Sequence, residues 1–351
     1  MPHAFLWTRT GGLRELVSRV HRSEADGVND RGEVVGWFEN DYGIQRAFLW
    51  SERTNLVELP APVGSTSTAR FITNGDRILG TIDYQDVIWE PDGTVRPVAA
   101  IVGAPMNDVV MNEFGDFAGQ IWPGYFKWTA QSGFTPLNVP AHTTGINDAG
   151  DVVAVGQLGS QVEMQPFLWT RPGVQPMVTR PSGDDFAGAI NDVGQVVGWA
   201  ESDAPRDWTS REFCCMTFVW SRTAGIVPIW ASTGESGGTS ANDINDQATV
   251  VGTMLVPDAQ LGYGFAPVVV QLRTTPLQFT GAMRVRIAQA AKHDVLARGH
   301  ARALLAKLDQ IDRALRATEI ARGSDCADQQ RGSQPTGTVR PTHSLDDRPR
   351  A

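Results

Sequence analysis

Two short apolar patterns alternate along the first 272 residues. One ends in tryptophan: AFLW (residues 4–7), AFLW (47–50), DVIW (86–89), YFKW (125–128), PFLW (166–169) and TFVW (217–220). The other brackets an Asn-Asp turn: GVNDRGEVVG (27–36), GINDAGDVVAVG (145–156), AINDVGQVVG (189–198) and DINDQATVVG (243–252), with weaker copies FITNGDRILG (71–80) and VVMNEFGDFAG (109–119). Short β-branched or aromatic runs separated by Asn, Asp and Gly predict strands joined by tight hairpins, with those three residues supplying the left-handed backbone positions. A polar turn and a second apolar run follow each tryptophan, as in LREL (13–16), LVEL (56–59) or IVPI (226–229). Each repeat of roughly 40 residues therefore holds four strands, A and B around the Asn-Asp turn, then C and D around the tryptophan motif.

Six such units predict an all-β fold, a β-propeller of about six, with seven also open, four-stranded blades. A β-solenoid is the runner-up, but its coils repeat at shorter periods and do not alternate two distinct hairpins. The chain starts at a C strand and its last Asn-Asp turn supplies an A and a B. The first C–D pair (residues 4–17) is thus expected to complete the last A–B pair (residues 239–255) and close six blades. Against this, GYGFAPVVVQL (262–272) reads as a degenerate C strand able to finish the last blade, which leaves residues 4–17 as half of a seventh.

Antiparallel order within a blade puts the A–B and C–D turns on one face and the B–C and D–A connections on the other. The Asn-Asp turns are uniform, whereas the B–C connections vary from TIDYQD to AESDAPRDWTSREFCCM. Variable loops on a repeated scaffold point to ligand contact, so the candidate binding residues are Tyr42, Tyr84, Trp122, Tyr125 and Trp208, with Asp203, Arg206 and Asp207 beside the last. Six of the 11 tryptophans sit in the C-strand motif and are assigned to packing instead.

Composition narrows the chemistry. The chain has 351 residues with 41% hydrophobic and 20% charged content, ordinary for a folded protein. No apolar run reaches the ~18 residues of a membrane span. Residues 281–351 carry 13 basic and 8 acidic side chains, leaving 17 against 31 in residues 1–280, so the acidic body argues against nucleic acid as a partner. Three cysteines, two of them adjacent, make no disulfide framework, and the six histidines form no ligand-type pair. The Asn-Asp pairs lack the dense acidic spacing of a calcium loop and are read as turn chemistry. No metal, cofactor or catalytic residue is assigned. One enzymatic alternative stays open: Asp41, Asp83, Asp203 and Asp258 on B–C loops are candidates for a glycosidase pair at the propeller mouth.

The pattern changes after residue 280. Leu304, Leu308, Ile311 and Leu315 recur at helical spacing, and a break at Arg298 and Gly299 predicts an α-helical hairpin over residues 281–323. Residues 324–351 are polar and aperiodic and are read as a disordered tail. The domain reading is therefore a propeller over residues 1–280, the helical hairpin and the tail.

The alternating motifs resemble the HAF-repeat family of bacterial proteins, described as extracellular repeats with a His-Ala-Phe core and an IND-G-VVG segment. His3-Ala4-Phe5 is the one literal copy here, and Ala47-Phe48 keeps part of it. The likeness spans residues 1–272 and brings no catalytic residue. ALLAKLDQIDRAL (303–315) looks like the helical FIMAH domain of some such proteins. The resemblance implies a secreted or cell-surface propeller. The start, MPHAFLWTRTGG, has no charged-then-apolar leader, so an N-terminally truncated gene product is one reading. Three functions follow as expectations. The first is a non-enzymatic binding propeller for a glycan or protein on its loop face, the second a carbohydrate-active hydrolase or lyase with carboxylates at that mouth. The third is a scaffold recruiting a partner through the helical tail.

Overall fold

The computed structural model describes residues 3–8, 10–17, 22–138, 141–157, 164–170, 173–177, 185–201, 215–229, 239–258, 262–272, 287, 291 and 296–331. It is a β-propeller. The first sheet is a half-blade of two strands, β1 (Phe5–Thr8) and β2 (Gly12–Glu15). Blade 1 is β3 (Ser23–Val28), β4 (Val34–Glu39), β5 (Gln45–Ser51) and β6 (Asn55–Glu58). Blade 2 is β7 (Ser67–Ile72), β8 (Ile78–Ile82), β9 (Gln85–Trp89) and β10 (Val95–Pro97), followed by one helical turn, α1 (Val98–Val102). Blade 3 comprises β11 (Asn107–Met111), β12 (Phe117–Ile121), β13 (Gly124–Thr129) and β14 (Gly133–Pro136). Blade 4 comprises β15 (Ala141–Ile146), β16 (Val152–Gly156), β17 (Gln165–Thr170) and β18 (Gly173–Pro176). Blade 5 holds β19 (Asp185–Ile190), β20 (Val196–Glu201), β21 (Cys215–Ser221) and β22 (Gly225–Pro228). Blade 6 has three strands, β23 (Thr239–Ile244), β24 (Thr249–Asp258) and β25 (Gly262–Gln271).

Blade packing follows from the two motifs. The C-strand tryptophan stands opposite the first residue of the B-strand motif, as in Val34↔Trp50, Ile78↔Trp89, Val152↔Trp169 and Val196↔Trp220. These four tryptophans are between 2% and 9% exposed, so their large apolar area is spent between blades. Every A strand carries a register shift in its middle, at Ala25/Gly27, Ala69/Phe71, Asn107/Val110, Thr143/Gly145, Ala187/Ala189 and Ala241/Asp243. The bulge presses a carbonyl onto the facing strand, and a Cβ on Gly36, Gly80, Gly198 or Gly252 would lie about 2 Å from that oxygen. That contact accounts for the glycine of VVG. Blade 4 holds Ala154 in the same place, opposite Thr143.

The Asn-Asp turns meet the expectation in part. One residue per turn is left-handed, Gly32, Asp76, Gly115, Gly150, Gly194 or Ala248, at φ between 55° and 77°, so glycine takes most of these positions, Asp one and Asn none. The paired Asn and Asp serve as connectors instead. The Asn147 side-chain Oδ1 accepts from the Asp151 N–H (2.9 Å) inside its own turn, while its side-chain Nδ2 donates to the Asn191 backbone carbonyl (3.1 Å) of the next blade. Asn112 and Asn191 repeat that donation to Asn147 and Asn245 (3.1 and 2.9 Å). In parallel, the Asp148 and Asp192 N–H groups donate to the carboxylates of Asp192 and Asp246 (2.8 Å each), and Glu113 does so to Asp148 (3.2 Å). In blades 1 and 2 the chain continues through Asp30 N–H to Asn74 Oδ1 (2.9 Å) and Asn74 N–H to Glu113 (2.8 Å). The motif is thus an inter-blade ladder that satisfies otherwise orphaned turn groups.

The last blade uses its own C strand. β25 pairs along the whole of β24, and β1–β2 form a separate sheet, so the first C–D pair does not complete the last A–B pair here. After the propeller, α2 (Arg298–Arg331) starts at the residue where a break was expected and continues past residue 323. Of the segment before it, Ile287 and Ala291 are described, both helical. No helix among the described residues is long and apolar enough to cross a membrane.

Candidate functional site

The B–C ends of blades 2, 3 and 4 enclose an open cavity of about 550 Å³, lined by Arg70, Thr81, Tyr84, Asp86, Asn107, Asp108, Val109, Val110, His142 and Thr143. Its polar groups come from the irregular parts of the repeat. Arg70 is the bulged residue of β7 and forms an ion pair with Asp86, from the start of β9; its guanidinium also donates to the Val109 carbonyl (2.9 Å) in blade 3. Asp108 lies at the bulge of β11 with φ 51°, a left-handed conformation that a side chain bearing Cβ adopts only under support. Thr143 gives that support from blade 4, its hydroxyl donating to the Asp108 carbonyl (3.0 Å).

Asp108, His142 and Tyr125 form a contact series. His142 Nδ1 lies 3.4 Å from the Asp108 carboxylate and 3.4 Å from the Tyr125 hydroxyl, and the Tyr125 and His142 rings meet edge-on at 5.9 Å. One ring nitrogen thus faces two groups. Protonated, it donates to Asp108; unprotonated, it accepts from Tyr125. At 3.4 Å neither bond is tight, so both leave capacity for a third group. Burial raises the Asp86 carboxyl above the ordinary range against the pull of Arg70, and Asp108 adds to the rise. Burial likewise raises the Tyr125 phenol, with Asp108 contributing. The cleft therefore holds a carboxyl raised by burial, an exposed carboxylate and an imidazole within one opening, with the buried Tyr125 phenol in contact with the imidazole.

The expected contact residues divide. Tyr84 lines the cavity and is 92% exposed at the tip of a two-residue hairpin, where Asp83 and Tyr84 have φ 46° and 65°. Tyr42 and Trp122 are 87% and 83% exposed in the β4–β5 and β12–β13 turns, and neither is among the lining residues. Tyr125 was expected on a loop; it sits inside β13, 8% exposed, with its ring in the core between blades 3 and 4, and only its hydroxyl turns toward His142. Asp203, Arg206, Asp207 and Trp208 lie outside the described residues.

None of the described glycosidase candidates is a lining residue of this cavity. Asp83 accepts from the Thr66 N–H (2.9 Å) and ties its own hairpin to β7, Asp41 sits in the β4–β5 turn away from the cavity, and Asp203 lies outside the described residues. Asp258 ends β24, in blade 6. The carboxylates that do share the cleft are Asp86 and Asp108, which the sequence reading left unassigned, as it did Arg70 and His142. A signal for Arg70 and Asp108 exists: the bulge position of the A strands carries Asp26, Arg70, Asp108, Thr144, Gly188 and Asn242, a run that does not repeat.

On the opposite face lies a cavity of about 740 Å³ lined by Val28, Phe71, Ile146, Ile190 and Ile244 together with residues of the Asn-Asp turns. The turn polar groups there are engaged in the inter-blade ladder. Among the described residues no group of three or more His, Cys, Asp or Glu is arranged to hold a metal.

No family model matches the sequence, and no curated protein matches it. Solved structures that resemble it do so at low identity. An acylaminoacyl peptidase from Pyrococcus horikoshii is 9% identical, with 77% of this chain and 47% of that one covered at a TM-score of 0.47. A gluconolactonase from Xanthomonas campestris is 12% identical, covering 66% and 82% at 0.37. A fucose-recognising lectin from Aleuria aurantia with a six-bladed propeller is 10% identical, covering 78% and 96% at 0.35. The chain spans 27% of the length of the tricorn protease, which it also resembles. The names of these proteins differ in kind, and none is carried over to this chain.

Proposed function

We propose that this propeller is a binding protein and that the cleft between blades 2, 3 and 4 is its recognition site, with a glycan as the ligand. One observation carries the reading: Arg70, Asp86, Asp108 and His142, from three blades, converge on an open cavity of about 550 Å³ with the exposed ring of Tyr84 among its lining residues. A mixed set of donors and acceptors beside an aromatic face suits a sugar, whose hydroxyls take hydrogen bonds and whose C–H faces stack on rings. The reading extends to location. The likeness of the repeats to HAF repeats supports a secreted or cell-surface protein.

The test is equilibrium binding of the purified chain to a panel of bacterial and plant polysaccharides, with Asp108→Asn as the site variant. Saturable binding that Asp108→Asn weakens by about tenfold, or about 1.4 kcal/mol, is expected. Binding indifferent to that substitution moves the site elsewhere, and a panel without any binder turns the reading toward a protein ligand.

A second reading rests on a different observation, the pairing of Asp86 and Asp108. A carboxyl raised by burial next to a second carboxylate is an arrangement that glycoside hydrolysis uses, one as acid and the other as base or nucleophile. Release of reducing sugar by the native chain, abolished in Asp86→Asn, would make the cleft an active site. Binding without product keeps the first reading.

A further inference from the structure

Tyr42, Tyr84 and Trp122 stand almost wholly in solvent, but they are not scattered. Each occupies the B–C turn of its blade, just past the last paired residues Glu39↔Gln45, Ile82↔Gln85 and Ile121↔Gly124. Blades 1, 2 and 3 are consecutive, so the three rings stand on one face of the propeller, one per blade. A single aromatic left in water needs no explanation. The same placement in three neighbouring blades, in turns whose sequences otherwise differ, is a pattern.

Each turn is held by groups other than its ring. Asn40 Oδ1 accepts from the N–H of Tyr42 and of Ile44 (3.0 Å each), and the Gly43 N–H donates to the Asn40 carbonyl (2.9 Å). The Asp83 N–H donates to the Thr66 carbonyl and the Thr66 N–H to the Asp83 carboxylate (2.9 Å each), which ties the tip bearing Tyr84 to the D–A connection. Beside Trp122, Pro123 brings the fixed φ of its ring. Turns held in this way present their aromatic faces in advance, so little conformational freedom is lost when a ligand arrives.

The placement selects the kind of ligand. Val28, Ile146, Ile190 and Ile244, from the A strands of blades 1, 4, 5 and 6, share one cavity, so the A strands are innermost and the B–C tips stand outward of them. Packed sheets lie about 10 Å apart, so three successive tips extend over roughly 20 Å, farther than a single sugar reaches. A protein partner calls for a contiguous apolar centre, but Asp41 and Asp83 interrupt the surface beside two of the rings. The same two carboxylates disfavour an anionic membrane. Separate rings at intervals, with Tyr84 shared between the row and the cleft, match a chain that repeats an apolar sugar face along its length. We propose that Tyr42, Tyr84 and Trp122 form a platform for a linear polysaccharide, which lies across blades 1 to 3 and sets one of its sugars in the cleft. This rests on the glycan reading of the cleft and deepens it: the ligand is a polymer rather than a free sugar.

Titration of the full chain with disaccharides and hexasaccharides of cellulose, chitin, xylan and pectin tests the platform. A hexasaccharide that binds about tenfold more tightly than its own disaccharide is expected, with Tyr42→Ala and Trp122→Ala each removing several-fold of that gain and leaving the disaccharide unaffected. Trp122→Tyr keeps a ring in place and should keep most of the gain. Asp108→Asn should weaken both lengths alike, which separates the cleft from the platform. Equal affinity for the two lengths, or a hexasaccharide indifferent to Tyr42→Ala and Trp122→Ala, overturns the platform while the cleft remains a glycan site. A series without any binder overturns the platform together with the glycan reading. Both alanine variants remove exposed rings, so their thermal midpoints should match that of the unsubstituted chain. Affinity that fell only in step with the midpoint would assign the rings to their turns and overturn the platform.

Discussion

The two faces of the propeller are built from the same strands and use them differently. On the Asn-Asp face, the repeated residues are consumed by neighbours: asparagine amides and acidic side chains bond from blade to blade, and Asn147, Asp148 and Asn191 are 4% exposed. On the B–C face, the strands end in residues that differ from blade to blade, and these leave a charged cleft open to solvent. Repetition marks the groups that hold blades together, and its interruption marks the groups left over for a ligand. Substitutions on the two faces should therefore separate stability from binding.

The largest effect is expected on the Asn-Asp face. Asn191→Ala removes the acceptor for the Gln195 N–H and the donor to the Asn245 carbonyl, leaving buried backbone groups unmet. Two such losses at a buried site should cost about 3 kcal/mol in a urea titration. A loss below about 0.5 kcal/mol, the range of an ordinary surface change, would dissolve the distinction between the faces.

A smaller effect is expected from Asp26, at the bulge of β3 that corresponds to Arg70 in blade 2. Protein around it thins its hydration and, with Glu24 beside it, pushes its carboxyl up to about 7 from an ordinary 3.8. The folded chain then holds this proton at pH values where the unfolded chain has lost it, so stability falls as pH rises from about 4 to about 7 and levels off above. Asp26→Asn should flatten that slope and raise the urea midpoint at pH 8 but not at pH 4. Equal shifts at both pH values would show that Asp26 titrates normally.

On the cleft side, Asp108→Asn should leave the urea midpoint nearly unchanged while weakening glycan binding, because the carboxylate is half exposed and the backbone contact from Thr143 is retained. Equal losses of stability and binding would mean that Asp108 holds the bulge rather than the ligand.

Most of the fold was legible because a propeller writes its blades into the chain one after another. The spacing of Trp50, Trp89, Trp128, Trp169 and Trp220 and the Asn-Asp turns between them located the strands. Two structural facts were out of reach of pattern. Asn147 looks like a turn former in sequence, and its bond to Asn191 exists only once two blades are side by side. Gly36 looks like a strand end, and the need for glycine comes from a carbonyl of β3 pushed onto it by the bulge. The site was less legible. Tyr84 stood out as an aromatic in a variable turn, but its partners Arg70, Asp108 and His142 lie in A strands, 14 to 58 residues away in sequence, where a polar residue reads as an imperfect repeat. Tyr125 stands where the B–C connection meets the C-strand motif YFKW, and the structure keeps it in the strand.

The smallest effect is the most discriminating, because its two parts should have opposite signs. Tyr84 holds φ 65° at the tip of the β8–β9 hairpin, a conformation that glycine adopts freely and tyrosine does not. Its ring is 92% exposed, so packing returns little for the strain. Tyr84→Gly should therefore keep the thermal midpoint or raise it, by at most about 1 kcal/mol of stability, since strain relief opposes the greater freedom of glycine in the unfolded chain. The same substitution removes the aromatic rim of the cleft and should weaken glycan binding several-fold. A hairpin that became more stable while binding declined would show tyrosine retained against the preference of its own turn, for the sake of what it touches. Lost stability with unchanged binding would assign Tyr84 to the scaffold and leave the cleft to Asp86, Asp108 and His142 alone.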